Sequence, residues 1–291
     1  MSLKIKADLG LLFVTLTWGI SFILTQNAIA SIPVFNFLAV RFTIAFVLSG
    51  LFFYKRMMQI DKETVKYGLI VGGILFSGYA VQTIGLLYIS SSKSAFITGL
   101  NVVLVPVISA IILKETIKVE AKIGVFLAFV GLGFLTLNGL SLPNIGDLLT
   151  LIAAFSFAFH IITVGHFTKK VASLEFGIMQ IGGVALFSWI MSFMLETPSL
   201  SFSFGSWMNM LFLGVFCTSM AFIVQSIAQQ FTTSTHTALI YTNEPVFAGI
   251  FGYLIAGDIL GVNGVFGGAL ILSGMILAEI DVGRMLRLRR A

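Results

Sequence analysis

Ten apolar runs follow one another along the chain, at roughly 8–29, 34–54, 67–88, 94–113, 121–138, 145–165, 174–195, 208–229, 235–256 and 262–280. A hydrocarbon core of about 30 Å takes about 20 residues of helix to cross, so each run predicts one transmembrane helix. The connections are short. The most polar is Lys55 to Lys66, and the most turn-like is Asn138 to Asn144, with Gly139 and Pro143. The ninth run, Thr235 to Ala256, carries Glu244 and Pro245 near its middle. A carboxylate at that depth costs on the order of 2.5–3.5 kcal/mol if it faces lipid, so Glu244 is expected to face protein, water or a ligand. Pro245 has no N–H, which removes the usual helical partner of the Tyr241 carbonyl. In lipid that carbonyl must find a neighbour, a water or a ligand.

Composition agrees with the pattern. Of 291 residues, 58% are hydrophobic and 10% charged, against about 25% charged in a soluble domain. The fold class is therefore an all-α integral membrane protein. The net charge of +5 comes from loop lysines and tail arginines and does not point to nucleic acid. A lone cysteine, Cys217, permits neither an internal disulfide nor a thiolate metal site. Ala28-Ile29-Ala30 resembles a signal-peptidase site, but the run from Leu9 is too long for a signal core, so it is expected to stay as a helix.

Positive charge sets the orientation. With the N-terminus cytoplasmic, ten spans place 15 of the 17 basic residues inside, including Lys55, Arg56, Lys62, Lys66, Lys114, Lys118, Lys122, Lys169, Lys170 and the arginines of 284–290. Only Lys93 falls in an outer loop, and Arg41 lies within helix 2. The link between helices 8 and 9, QQFTTST, carries no lysine or arginine. Both termini are expected in the cytoplasm.

Two offsets relate the halves. A shift of 139 sets Asp8 on Asp147, Trp18 on Phe157 and Arg41 on Gln180. A shift of 143 sets Gln82 on Gln225, Ser91 on Ser234, Ala95 on Ala238, Gly124 on Gly267 and Gly131 on Gly274. Residues 1–140 and 141–291 are thus expected to be two five-helix repeats. Five is odd, so the second would enter the membrane upside down. Inverted repeats are typical of secondary transporters that bind substrate near the midplane between the halves.

A short leader into LTWGISF, two five-helix halves, and TNEPVFAGIFGYLIAGD followed by a glycine-containing tenth helix make the chain similar to the EamA group of the drug/metabolite transporter superfamily. The likeness spans nearly the whole chain, with NEPVFAG its most specific part. It implies a multi-pass carrier of the bacterial inner membrane, often an exporter of amino acids or other small metabolites. Asn101-Val102 stands where the second half has Glu244-Pro245, so any site has one acid rather than two.

Candidate chemistry clusters on helix faces. Thr237, Tyr241, Glu244, Ala248 and Gly252 share one face of helix 9, and Ser94, Thr98, Asn101, Val105 and Ser109 share the equivalent face of helix 4. Both stripes can line a cavity, or they can hydrogen-bond packed helices to each other at ~0.6 kcal/mol per contact. His160 on helix 6 can relay a proton, bind a substrate carboxylate, or rest neutral against a neighbour. Trp18 lies too deep for an interfacial belt and offers a cavity wall, a cation–π face or plain packing. Tyr79 and Gln82 share a face of helix 3, and Gln225 is the equivalent of Gln82. These amides are read either as substrate contacts or as structural bonds. Asn243 adjoins Glu244. Arg41 is expected to snorkel, pair with an acid or bind an anion, and Asp8, Asp147 and Glu175 to cap helix N-termini.

No G-x-x-x-x-G-K-[ST] loop and no H-E-x-x-H occurs, so neither ATP hydrolysis nor zinc-protease chemistry is expected. The chain reads as a secondary carrier working by alternating access, not an enzyme, with no cofactor. Its partners would be a small-molecule substrate, the lipid bilayer and protons. Its substrate-binding candidates are Glu244, Tyr241, Asn243, His160, Asn101, Thr98, Gln82, Tyr79, Gln225 and Trp18. The alternatives are a multidrug efflux carrier, suggested by 29 phenylalanines and 11 methionines, and a membrane enzyme or receptor.

Overall fold

The computed structural model describes residues 2–113, 119–136 and 143–279. Most of the Asn138–Asn144 turn, Lys114, Lys118 and the arginines of 284–290 lie outside the described residues. Those described form helices and connections only. In order these are α1 (Leu3–Ile29), α2 (Val34–Phe52), α3 (Tyr54–Met57), α4 (Lys62–Gly85), α5 (Ser91–Thr98), α6 (Asn101–Leu113), α7 (Val119–Thr136), α8 (Ile145–Phe167), α9 (Ser173–Leu195), α10 (Phe204–Phe212), a π-helical stretch (Leu213–Met220), α11 (Ala221–Gln229), α12 (Ser234–Tyr241), α13 (Glu244–Phe251), a π turn (Gly252–Ala256) and α14 (Val262–Glu279). Eight continuous helical units are long and apolar enough to cross a membrane: α1, α2, α4, α5–α6, α8, α9, α10–α11 and α12–α13 with its π turn. Shorter apolar stretches in α7 and α14, Lys122–Leu135 and Val262–Leu277, fall where two more spans are expected.

Polar residues fix the helix starts. Side chains of Ser2, Asp61, Ser90, Ser203 and Thr233 accept from backbone N–H groups of the first turn, supplying partners that the helix itself leaves unmade. Asn144 and Asp147 form a reciprocal capping box at α8. Asp61 also takes the Thr64 hydroxyl, and these two bonds hold its carboxyl below the usual carboxylate range. Glu196, just past α9, accepts from the Phe35 and Asn36 N–H groups at 2.9 and 2.7 Å and so caps α2 from another helix.

Asp8 is not at a helix start, because α1 begins at Leu3; it lies inside the helix and meets His236 instead. Asp147 does cap, and it also holds Lys93 at 2.8 Å. Glu175 stands in the first turn of α9 with Arg56 at 3.8 Å.

Two helices are interrupted at related places. The α5–α6 unit tightens at Gly99–Leu100, ahead of Asn101, and the α12–α13 unit at Thr242–Asn243, ahead of Glu244. The sites are 143 residues apart. Neither is unwound: Leu100 N–H donates to Ile97 O and Val102 N–H to Gly99 O, while Thr242 N–H donates to Leu239 O and Asn243 N–H to Ile240 O. These i→i−3 bonds are those of a tight 3₁₀ turn. Pro245 accounts for the second interruption, sitting in the first turn of α13, where a missing N–H is harmless. The first half's proline does not mark its break, since Pro106 lies inside α6.

Close backbone approach locks the bundle. α4 packs on α8 and α9, α1 on α11, α12 and α13, and α7 on α14. A Cβ at Gly72 would lie 2.9 Å from Gly183 Cα, and one at Gly131 would lie 2.5 Å from the Gly267 carbonyl oxygen. Only glycine permits such contacts, which substitute for the missing hydrophobic drive between helices in lipid. Large side chains such as Phe52, Phe126, Phe193 and Leu254 stay exposed on the perimeter, as lipid-facing residues do.

Candidate functional site

A cavity of ≈ 40 Å³ lies where α1, α4, α5, α6, α8, α11, α12 and α13 meet. Its wall is Trp18, Ser21, Phe22, Leu75, Tyr79, Gln82, Thr98, Asn101, Phe157, His160, Ile161, Phe222, Tyr241 and Glu244. One water needs about 10–15 Å³ measured in this way, so the space admits a few waters or one small polar head. A whole metabolite would require the wall to draw back.

The wall is built of related positions. Trp18 and Phe157, Ser21 and His160, and Phe22 and Ile161 differ by 139. Tyr79 and Phe222, Thr98 and Tyr241, and Asn101 and Glu244 differ by 143. These six pairs supply twelve of the fourteen wall residues. The interrupted helices set the last of them, since Asn101 and Glu244 each open the half-helix that follows its break.

Most polar wall groups are already committed to the protein. Trp18 Nε1 donates to the Cys217 carbonyl at 3.0 Å, within the π-helical stretch, and Ser21 Oγ donates to the Trp18 carbonyl at 2.8 Å. Gln82 Nε2 donates to Thr98 Oγ1 at 3.0 Å. His160 Nε2 lies 2.7 Å from Gln180 Oε1, and Gln180 Nε2 is donated to Ser226 Oγ. Gln180 therefore offers His160 an acceptor, so Nε2 carries a proton, and in the neutral ring Nδ1 holds the lone pair.

Glu244, Asn101 and Tyr241 are among the groups that stay uncommitted. Glu244 is buried, and among the described residues it has neither an ion-pair partner nor a hydrogen-bond partner for its carboxyl group. Asn101 Oδ1 and Tyr241 Oη are buried without partners. Buried polar atoms in native proteins are usually paired, and such a cluster is what a ligand would satisfy. The rest of the wall is aromatic. Trp18 stands edge-on to Tyr241 at 5.2 Å and tilted to Phe222 at 5.3 Å, and Tyr79 meets Phe157 edge-on at 5.5 Å.

Eight of the ten sequence candidates line this cavity: Trp18, Tyr79, Gln82, Thr98, Asn101, His160, Tyr241 and Glu244. Gln225 does not. It is fully buried, and its Nε2 turns along its own helix to Gln229 Oε1 at 2.9 Å. Asn243 is also off the wall, because its amide folds back to the Ile240 carbonyl at 2.8 Å within the tight turn. Ser21, Phe22, Leu75, Phe157, Ile161 and Phe222 complete the wall and were not singled out as candidates. Phe157 and Phe222 were reachable through the offsets from Trp18 and Tyr79.

Arg41 lies behind the wall rather than on it. At 1% exposure it does not snorkel. Nε donates to Thr218 Oγ1 at 2.9 Å and Nη1 to Thr25 Oγ1 at 3.2 Å, while Nη2 has no partner. The guanidinium carbon stands 5.4 Å from the Tyr79 ring centroid and 5.5 Å from that of Phe42. Among the described residues no carboxylate pairs with it. Two hydroxyls and two ring faces are what spread its charge.

Comparisons with known proteins bear on the family and the fold. The profile of the EamA-like transporter family matches twice, over residues 5–137 and 144–279. An uncharacterized transporter of Archaeoglobus fulgidus is 33% identical over 279 residues, covering 96% of this chain and 87% of the relative. The uncharacterized transporter YoaV of Bacillus subtilis is 25% identical over 290 residues, covering 96% of this chain and 99% of the relative. A solved crystal structure superposes with a TM-score of 0.72 at 18% identity, over 97% of this chain and 98% of the other, which speaks for the fold alone. With the family profile spanning both halves of a multi-pass helical membrane protein, the chain belongs to the EamA-like transporter family.

Proposed function

We propose that the protein is a secondary carrier that moves small metabolites, amino acids or related compounds, out of the cell by alternating access, with the cavity at Glu244 as its substrate site. The observation that carries this reading is the paired wall. A site made of equivalent residues from two halves lies on the axis relating them, and rocking the halves about it exposes the same groups first to one side and then to the other. On this reading residues 1–140 and 141–291 are the two inverted units, both termini are cytoplasmic, and the membrane is the cell membrane. Glu244 exchanges a proton for the substrate's amino group, and Asn101, Tyr241, Gln82 and His160 orient the solute.

Contacts at the two ends of the bundle fit a closed intermediate. At the far end of α1, Gln26 binds the Leu86 and Ile89 carbonyls and the Ser91 N–H, and Asp258 accepts from Ser91 Oγ, Ser92 Oγ and Ser92 N–H. At the near end, Asp8 meets His236, and Gln229 Nε2 and Ser234 Oγ both donate to the Ile161 carbonyl. Alternating access would release these sets in turn.

The test is counterflow in proteoliposomes of the full chain. Vesicles loaded with unlabelled metabolite should accumulate external label transiently, without ATP. A label that enters no faster than into empty-lipid vesicles, across a broad metabolite panel, would refute the carrier.

A further inference from the structure

We infer that the group recognised at Glu244 is an N–H cation on a substrate with no free carboxylate: an amine, rather than an amino acid or an organic acid. This rests on the carrier reading and narrows its substrate class.

The first argument is charge. Glu244 is the one acidic or basic residue on the wall apart from the neutral-capable His160, and among the described residues no cation pairs with it. An ionised carboxylate held away from water demands a positive partner, and an ammonium head is small enough for the space available. A second carboxylate in the same cavity would face Glu244 with little water to screen the two.

The second argument is that the wall offers a substrate carboxylate no permanent positive charge. The N–H of Trp18, the Nε2 of His160 and one N–H of Gln82 are engaged with protein acceptors. At the helix interruptions the backbone N–H groups of Leu100, Val102, Thr242 and Asn243 are also used. Among the described residues the one buried guanidinium, Arg41, is behind Tyr79, with Nε and Nη1 engaged by Thr218 and Thr25 and Nη2 unpartnered. The remaining donors are the hydroxyls of Tyr79, Thr98 and Tyr241, the Asn101 amide and the second Gln82 N–H, all of them neutral, so none of them balances the charge of an anion beside Glu244.

The third argument is the rings. Trp18 meets Tyr241 at 5.2 Å and Phe222 at 5.3 Å, and all three rings line the cavity with Glu244. Such surface attracts an organic cation and accommodates its apolar body.

The experiment uses the full chain in liposomes and three matched sets of probes: phenethylamine, phenylalanine and 3-phenylpropionate; tryptamine, tryptophan and indole-3-propionate; isoamylamine, leucine and 4-methylpentanoate. Binding is read by Trp18-dependent fluorescence and thermal shift, and transport by counterflow. At least one amine should bind tenfold or more tightly than its amino acid, and the acids should not bind. Glu244→Gln should weaken that amine at least tenfold. Asn101→Asp, a milder change at the related position, should shift preference from monoamines toward diamines.

An amino acid that binds as well as its amine would overturn the inference while leaving the carrier intact. So would an amine whose affinity ignores Glu244→Gln in a variant that elutes as folded protein, or a panel in which no amine binds. Amine binding without any counterflow would instead sink the carrier reading and keep the head-group assignment.

Discussion

His236 Nε2 lies 2.9 Å from Asp8 Oδ1, and the residue 143 positions before His236, Lys93, holds the residue 139 positions after Asp8, Asp147, at 2.8 Å. The His236–Asp8 contact and the Lys93–Asp147 ion pair are therefore equivalents. Asp8 lies 18 residues before Gln26 on α1, or about 27 Å at 1.5 Å per residue. Gln26 binds the N–H of Ser91, close to Lys93, so the pairs close opposite ends of the bundle. Replacing histidine with a permanent cation should strengthen one end. His236→Lys is expected to slow counterflow and to slow amide exchange in the first turn of α12. Lys93→Met should speed exchange in the first turn of α5 and leave α12 unchanged.

Gly131 and Gly267 bring α7 and α14 into backbone contact, with room for no Cβ at either. Gly131→Val is expected to push the helices apart at a cost of about 1–3 kcal/mol. A lowered melting temperature in detergent, with amine binding per folded molecule unchanged, is the outcome that checks it. These two helices contribute nothing to the cavity wall.

Arg41 offers a test of buried charge. Its equivalent, Gln180, bonds without carrying charge. Arg41→Gln removes an unpaired cation and keeps a donor for Thr218, so its stability should lie within about 1 kcal/mol of the parent. Arg41→Lys should be worse, because a compact ammonium cannot span Thr25 and Thr218 and is more strongly hydrated. Thermal unfolding of both variants orders them.

Asp61 supplies a pH dependence outside the membrane. Its carboxyl is held below the usual carboxylate range by Thr64, first through the hydroxyl and then through the backbone N–H. A carboxyl depressed on folding stabilises above its unfolded value, about 3.9, and that stabilisation is lost as pH falls through its folded value. Amide exchange at Thr64 and Val65, corrected for intrinsic rate, should therefore rise below about pH 4. Asp61→Asn should flatten that rise.

The sequence made Glu244 conspicuous because a carboxylate inside an apolar run is expensive wherever it stands, and Pro245 marked the interruption beside it. The offsets then carried the reading to Asn101, Thr98 and Trp18. The break at Gly99–Leu100 had no such mark: Pro106 pointed one turn too far along, and the tight turn forms without a proline. Gln225 misled for another reason. Its offset from Gln82 is sound, but Gln229 lies one helical turn away and captures the amide. The π-helical stretch that presents the Cys217 carbonyl to Trp18 has no signature in LGVFCTSM, since its extra residue per turn comes from packing. Phe222 and Leu75 are ordinary apolar residues in apolar helices, and only the folded bundle says which of many such side chains face inward.

The paired wall also bears on direction. On the inverted arrangement proposed above, equivalent positions face cytoplasm and exterior, but no pair is identical: glutamate answers asparagine, histidine serine, tryptophan phenylalanine, tyrosine threonine, phenylalanine tyrosine, and isoleucine phenylalanine. On that reading the gradients across the membrane decide which way the solute travels, and the six unlike pairs would decide how firmly it is held as the frame tips each way.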